Sequence, residues 1–284
     1  MAIELRQPTA ADVPELGRIC YEAFKDISDR HGFPTDFATV EFAEQVVGLL
    51  VQQEDVYGVM AVSDGAPRAS NYINMWGNVA GIGPVSVDLS AQGQGLGRTI
   101  MEDVIAHARG QGYDMIRLCQ DSFNMQSLAL YASLGFDVVE PLAYLALSGE
   151  RGADANVRPA AIDDVGAMGE LCRSVYKIDR EPECATLLGL GFPGFVLERG
   201  GSIAGYLFGT AIGHAVAESD DDMIALLNSA GALVPENHCL LPMRNGELHR
   251  KALAAGHRNT KVMNLMALGP YEEPAGTYCA SVMF

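Results

Sequence analysis

The stretch Gln92-Gly93-Gln94-Gly95-Leu96-Gly97-Arg98 decides the fold because of what stands on either side of it. Upstream, Ile82-Gly83-Pro84-Val85-Ser86-Val87 is an apolar run with strand character that ends near Asp88. Downstream, Leu96, Ile100, Val104 and Ala108 recur at i and i+4, with Met101 and Ile105 beside them, which is the spacing of one helix face. The glycine-rich turn therefore joins a strand to a helix N-terminus. Small residues there let the backbone approach a ligand closely, and the first helical N–H groups have no partner inside the helix. With the positive end of the helix dipole behind them, these groups suit a pyrophosphate.

The same letters fit half of a dinucleotide-binding fingerprint, Gly93-x-Gly95-x-x, but its next position calls for Gly or Ala and holds Arg98. The residues after the helix point elsewhere. A short strand, Met115-Ile116-Arg117-Leu118-Cys119, leads to Asn124 and a second helical segment. That segment has Leu128, Tyr131 and Leu134 on one face, Gly135 placed to end it, and Phe136 next.

Gln92, Gly95 and Gly97, followed by Asn124, Tyr131, Gly135 and Phe136, resemble in order the two signatures of the GNAT superfamily of acyl-CoA-dependent N-acyltransferases. The resemblance covers about residues 3 to 147, with an opening strand Ile3 to Arg6, an amphipathic helix from Asp12, and strands around Val56 to Val62 and Ala69 to Trp76. It implies an α/β (mixed α+β) fold, a central mixed, mostly antiparallel sheet flanked by helices. It also implies acetyl-CoA as cosubstrate, no metal, and direct attack by an amine in a ternary complex.

On this resemblance, backbone N–H groups from Gln94 through Gly95, Leu96 and Gly97 to Arg98 hold the pyrophosphate, in a turn shaped by Gln92 and Gly93. Val85, Ser86 and Val87 pair with the pantetheine arm as an added strand would, and Asn124 reaches the coenzyme. Tyr131 is the expected acid, since a phenol of ordinary pKa about 10 lies near a thiol of about 8.5 and can hydrogen-bond the leaving sulfur. The general base stays open. Asp88 and Asp121 each end a strand beside the turn; either could relay a proton through water, and either could be a turn residue or helix cap. An amine can also lose its proton to ordered water, and His107, within the helix, reads as structural.

The second half repeats the first. Arg6, Asp12, Val13 and Cys20 return 152 residues later as Arg158, Asp164, Val165 and Cys172, while Asn124 and Gly135 return 121 residues later as Asn245 and Gly256. The second copy is thus shorter by about 31 residues, which suggests tandem domains: a catalytic one over 1–148, a linker over 149–154, and a degenerate one over 155–284. In the second copy Ala252 stands where Tyr131 does, and Ala217-Glu218-Ser219-Asp220-Asp221-Asp222 replaces the glycine-rich turn. Acids at a helix N-terminus satisfy its dipole and repel an anion, so this half is expected to bind no coenzyme.

A chain of 284 residues, 49% of them hydrophobic, is long enough for two packed cores. The formal charge of −17 argues against nucleic acid, whose binding rests on Lys and Arg. It divides as 8 − 20 = −12 for residues 1–150 and 11 − 16 = −5 for 151–284; an acidic surface could draw in a cationic amine or serve solubility alone. No signal peptide or membrane-length apolar run is read, so no membrane partner and a cytoplasmic location are expected. The six cysteines have neither zinc-site nor disulfide spacing and read as buried free thiols.

Acceptor choice is expected in the segment after the first helix and the strands facing it: Tyr21, Phe24, Asp26, Asp29, His31, Phe33 and Asp36, then Asn71, Tyr72, Asn74 and Trp76. This mixed aromatic and acidic set would suit a cationic amine with an apolar portion, or an ordinary domain surface, and Trp76 reads first as core. The leading expectation is N-acetyl transfer to a small-molecule primary amine by a monomer or homodimer. Acetylation of a protein or peptide and non-catalytic acyl-CoA sensing are the alternatives. The alternating segment from Pro274 to Phe284 is expected to close a sheet.

Overall fold

The computed structural model describes residues 3–283. The first half supplies strands β1 (Ile3–Arg6), β2 (Val56–Ser63), β3 (Ala66–Asn74), β4 (Ala80–Ile82), β5 (Ser86–Val87), β6 (Ile116–Asp121) and β7 (Asp137–Ala146). Its helices are α1 (Val13–His31), α2 (Val40–Gln52), α3 (Leu96–Gly110) and α4 (Met125–Ser133). The second half supplies β8 (Val157–Pro159), β9 (Gly194–Arg199), β10 (Ser202–Phe208), β11 (Ala215–Ala217), β12 (His238–Pro242), β13 (Arg258–Leu268) and β14 (Thr277–Cys279). Its helices are α5 (Val165–Val175), α6 (Glu181–Gly189), α7 (Asp220–Leu233) and α8 (Gly246–Ala254). Phe284 lies outside the described residues.

The repeated residues do the same work twice. Asp12, before α1, accepts from the Thr9 N–H at 2.8 Å and from Arg6 at 2.6 and 2.9 Å. Asp164, before α5, accepts from the Ala161 N–H at 2.7 Å and from Arg158 at 2.7 and 2.9 Å. Each carboxylate serves a backbone donor that the helix start leaves without a partner. At the other end of the repeat, Asn124 caps α4 by accepting from the Ser127 N–H at 3.1 Å, and Asn245 caps α8 by accepting from the Leu248 N–H at 3.0 Å. Gly135 and Gly256 follow with φ of 94° and 100°, values that favour glycine after a helix. Part of the shortening lies in the helices: α5 and α6 have 11 and 9 residues against 19 and 13 in α1 and α2.

The sheets do not divide where the sequence does. The larger runs β1-β2-β3-β4-β6-β13-β7-β12, with β5 beside β3; the smaller runs β14-β11-β10-β9-β8. Two second-half strands therefore complete the first-half sheet. Strand β13 inserts between β6 and β7, antiparallel to both, and β12 covers the far edge of β7. Met263, Leu265, Met266 and Ala267 of β13 are buried by this insertion, each large apolar side chain contributing on the order of 1.5–3 kcal/mol when fully buried. Residues 149–154 link the halves covalently, and the chain about them is packed: Ser148 N–H donates to His257 Nδ1 at 2.9 Å and Arg151 to the Ala254 carbonyl at 3.1 Å.

Around the glycine-rich turn, the single strand expected from Ile82 to Val87 is two. Strand β4 runs parallel to β6 only from Ala80 to Ile82, and β5 returns to β3 with Ser86 opposite Ser70. Pro84, with no N–H to give a ladder, sits at the break. Beyond Ile82 the sheet is therefore open between β5 and β6, and a cleft begins there.

Candidate active site

At the start of α3, Gly93 and Gly95 adopt φ of 75° and 87°, and an added Cβ at either would meet nothing within 4 Å. Gly97 differs: a Cβ there would come within 3.3 Å of the Leu130 side chain on α4, so a small residue suits the contact between α3 and α4. No side chain caps α3, and its first turn holds no acid. The first backbone donor with a helical acceptor is Thr99, whose N–H reaches the Gly95 carbonyl at 3.1 Å, so the N–H groups of Leu96, Gly97 and Arg98 point outward. Arg98 bonds Ser133 Oγ at 2.6 Å, which ties α3 to α4 while leaving its charge near the turn.

The cleft is large, about 1270 Å³, and both halves line it. Of the residues singled out from sequence, Val85, Val87, Gln92, Gly93, Gly95, Leu96, Gly97, Arg98, Asn124 and Tyr131 all face it. Two do not. Gln94 turns back to the Ser90 carbonyl at 3.1 Å, and Ser86, expected with Val85 and Val87 to pair with the pantetheine arm, is paired with Ser70 of β3 instead, its hydroxyl 3.2 Å from that of Ser70. Because Asp88 N–H also bonds the Arg68 carbonyl at 2.8 Å, alternation turns the peptide groups of Val85 and Val87 to the open edge. There Gln92 Nε2 donates to the Val87 carbonyl at 3.3 Å.

Tyr131 lies on the inner face of α4, 8% exposed, and its hydroxyl has no protein partner among the described residues. Burial pushes its pKa well above the ordinary value, so it is a neutral phenol with a proton to donate. Asn124 uses its Oδ1 for the cap, and Gln120, from the end of β6, fixes the turn by donating to the Asn124 carbonyl at 2.8 Å and Ser127 Oγ at 3.1 Å. Asn264 of β13 in turn donates to Gln120 Oε1 at 2.9 Å. Neither Gln120 nor Asn264 carries a motif signal in the sequence.

The two candidate bases part company. Asp88 accepts from the Ser90 N–H at 2.9 Å and the Ser90 hydroxyl at 2.5 Å, faces Arg18 at 3.4 Å, and lies outside the cleft; against the upward push of burial, these bonds hold its carboxyl below the ordinary range. It is a turn cap. Asp121 lies in the cleft, and burial pushes its pKa up to about 6 against the pull of Lys261. His107 stacks on Tyr57 with ring centroids 3.7 Å apart, as a structural residue would.

Tyr21 to His31, expected after the first helix, lie within α1, which runs on to His31; of the residues expected to choose the acceptor, Phe24 of α1, Asp36 of the following loop and Trp76 after β3 reach the cleft. Asp26 pairs with Arg30, itself on the cleft lining, and Asp29 pairs with Lys25, while Phe33 stacks on Phe123 at 4.4 Å. That stacking draws the loop after α1 across the β6–α4 turn. Asn71, Tyr72 and Asn74 are buried in β3, with Asn74 Nδ2 donating to the Gly81 and Met283 carbonyls, both at 3.2 Å.

Residues 12–136 match the acetyltransferase (GNAT) family. They are a GNAT domain. Over 127 residues the chain is 32% identical to a mycothiol acetyltransferase of Thermobispora bispora, a match that spans 44% of this chain and 38% of that protein. Whole-chain likeness is structural: a candidate acetyltransferase of Pyrococcus horikoshii superposes with TM-score 0.81 at 19% identity, over 99% of this chain and 95% of that one. A GCN5-related N-acetyltransferase of Sphaerobacter thermophilus does so with TM-score 0.64 at 15% identity, over 97% and 98%. The fold common to these proteins therefore extends past the GNAT domain through the second half. Acetyl-CoA is the cosubstrate that GNAT domains use, and the uncapped start of α3, the glycines that no Cβ would crowd and the open edge of β5 fit it.

Proposed function

We propose that this protein is an N-acetyltransferase that moves the acetyl group of acetyl-CoA to the primary amine of a small molecule, by direct attack in a ternary complex. The observation that carries the reading is the convergence on one cleft of an uncapped, acid-free helix start, an open strand edge and an unpartnered buried phenol. The N–H groups of Leu96, Gly97 and Arg98 bind the pyrophosphate, with Gly93 and Gly95 giving the backbone its approach. Val85 and Val87 pair with the pantetheine arm, and Asn124 Nδ2, left over from the cap, reaches the same region. Bound acetyl-CoA supplies an activated carbonyl carbon and a thiolate leaving group. Tyr131 donates its proton to the departing sulfur.

A small acceptor is favoured because the second half walls the cleft that a peptide would have to enter: Leu187, Phe192, Ile212, Val234 and Pro235 all line it. The second half itself is read as binding no coenzyme. Asp220, Asp221 and Asp222 stand in the first turn of α7, and β14 pairs along β11 where the equivalent β5 edge is open. Calorimetric titration with acetyl-CoA tests this directly. One site per chain is expected, abolished by Gly95→Glu, which adds an anion and a side chain at a left-handed position. Two sites, or binding that survives Gly95→Glu, would overturn the assignment.

A further inference from the structure

Lys261 enters the cleft from β13, a second-half strand, and there meets two first-half carboxylates. Its Nζ donates to Asp36 Oδ1 at 2.6 Å and lies 2.7 Å from Asp121 Oδ1. A bulge aims it: β13 pairs Asn259 with Leu145 and then Lys261 with Tyr144, leaving Thr260 as the extra residue. All three charged side chains line the cavity, and those of Lys261 and Asp121 are 2% and 9% exposed. One ammonium facing two carboxylates leaves a negative charge without a partner. The side chain of the third member, Asp36, is 26% exposed, so the surplus charge is open to a cationic partner arriving in the cleft. Thr35 and Trp76 line the same cleft, with Thr35 Oγ1 and Trp76 Nε1 buried without a protein partner among the described residues. Apolar side chains make up much of the rest of the lining, Phe24, Ile27 and Leu49 from the first half and Leu190, Phe192 and Ile212 from the second, with Arg30 and Glu236 also on it.

We propose that Asp36, Lys261 and Asp121 form the binding site for the acceptor's ammonium group, that Asp121 takes its proton, and that the acceptor is a singly charged primary amine on an apolar body. This rests on the transferase reading above and adds to it the acceptor class and the base. The incoming ammonium supplies the charge the cluster lacks and transfers one proton to the Asp121 carboxylate. The freed nitrogen lone pair forms the C–N bond at the thioester carbonyl, and the C–S bond breaks as sulfur takes the Tyr131 proton. The nitrogen, now part of the amide, returns its second proton to the Tyr131 phenolate, and Asp121 releases its proton to solvent. One acetyl group has moved and one proton has been released.

Lys261 acts as a positioning residue. It holds both carboxylates and lowers the proton affinity of Asp121, which burial and Asp36 raise; the net result, about 6, suits a base near neutral pH. The other titratable groups facing the cluster include Tyr144, whose ring lies 5.1 Å from Lys261 Nζ, His238, stacked on Tyr144 at 4.9 Å, Cys119 on the strand that carries Asp121, and Cys20 of α1, which feels the charge of Asp36.

The test uses the full chain with acetyl-CoA and four amines, phenethylamine, hexylamine, spermidine and glucosamine, with thiol release as the readout and coenzyme calorimetry as the check on folding. The first two should exceed the others at least 10-fold in kcat/KM, and wild-type kcat/KM should fall as pH drops through about 6. Asp121→Asn should lower kcat about 100-fold or more with coenzyme binding unchanged. Lys261→Met should move the acid limb to higher pH and Asp36→Asn to lower pH, opposite shifts that a merely structural role would not give. Wild-type rates in Asp121→Asn, preference for spermidine or glucosamine, or an acid limb that neither variant moves would overturn the proposal and leave the transferase reading standing. Coenzyme binding without turnover on any amine would overturn both.

Discussion

The N-termini of α3 and α7 occupy corresponding places in two copies of one fold, and they treat an anion in opposite ways. Helix α3 starts with two left-handed glycines and three outward N–H groups. Helix α7 starts with three aspartates, and Ser219 accepts from the Asp222 N–H at 3.2 Å. Those aspartates have partners of their own: Asn245 and Thr277 on Asp220 at 2.8 and 2.7 Å, Lys251 on Asp221 at 2.8 Å, Arg199 on Asp222 at 3.2 Å. The neighbouring strands contrast in the same sense. The outer edge of β5 is open, whereas β11 pairs with β14, and the chain continues to a bridge in which the Ala280 N–H donates to the Leu240 carbonyl of β12 at 2.8 Å. The chain's own strand fills in the second copy the gap that is open in the first. On the proposal that the second copy binds no coenzyme, self-satisfaction takes the ligand's place, since backbone donors cannot be left buried and bare.

The largest effect of a single substitution on this contrast is expected at the proposed acid. Tyr131→Phe should lower kcat about 100-fold with little change in acetyl-CoA affinity, since the phenol proton and not its ring is at stake. Ala252→Tyr, the mirror change in the second copy, should add no activity; stopped-flow or steady-state thiol release on both variants decides the matter. A smaller effect is expected where the copies agree. Asp12→Asn and Asp164→Asn should each cost at most about 1 kcal/mol by urea unfolding, because the amide keeps an acceptor oxygen and loses only the charge that faces a part-exposed arginine, and both carboxylates make the same bonds. Both carboxyl pKa values are held down, chiefly by the hydrogen bond from the partner arginine. Their contribution is therefore fully present above the unfolded value of about 3.9 and is lost progressively as pH falls from there through the lower folded values, so a stability difference undiminished between about pH 5 and pH 2 would contradict this origin. The smallest effect belongs to the combined change of Asp220, Asp221 and Asp222 to Ser. Stoichiometry should stay at one acetyl-CoA per chain because β14 still covers β11; a rise to two would make charge alone the reason the second copy is silent.

Much of the cradle was legible in the sequence because its physics is local. Left-handed glycines, an N-terminal cap at Asn124 and an amphipathic helix are each properties of a few consecutive residues, and Arg6 with Asp12 and Arg158 with Asp164 are only six residues apart. Asp88 and Asp121 looked alike on the same grounds, as carboxylates ending strands. They separate only when Arg18 and Ser90 are seen to surround one and Lys261 the other.

Local chemistry along the chain was enough to set out the two copies, the main elements of each, the glycine-rich turn of the first and its replacement by acids in the second. Only the folded chain shows that β12 and β13 join the first-half sheet, that β14 pairs with β11, and that Lys261 meets Asp36, 225 residues away, inside the cleft. Strand pairing is non-local, and this accounts for the difference. Any apolar strand can satisfy any complementary edge, so alternation predicts a strand but not its neighbour, and the neighbour is chosen by which packing buries β13 on both flanks at once.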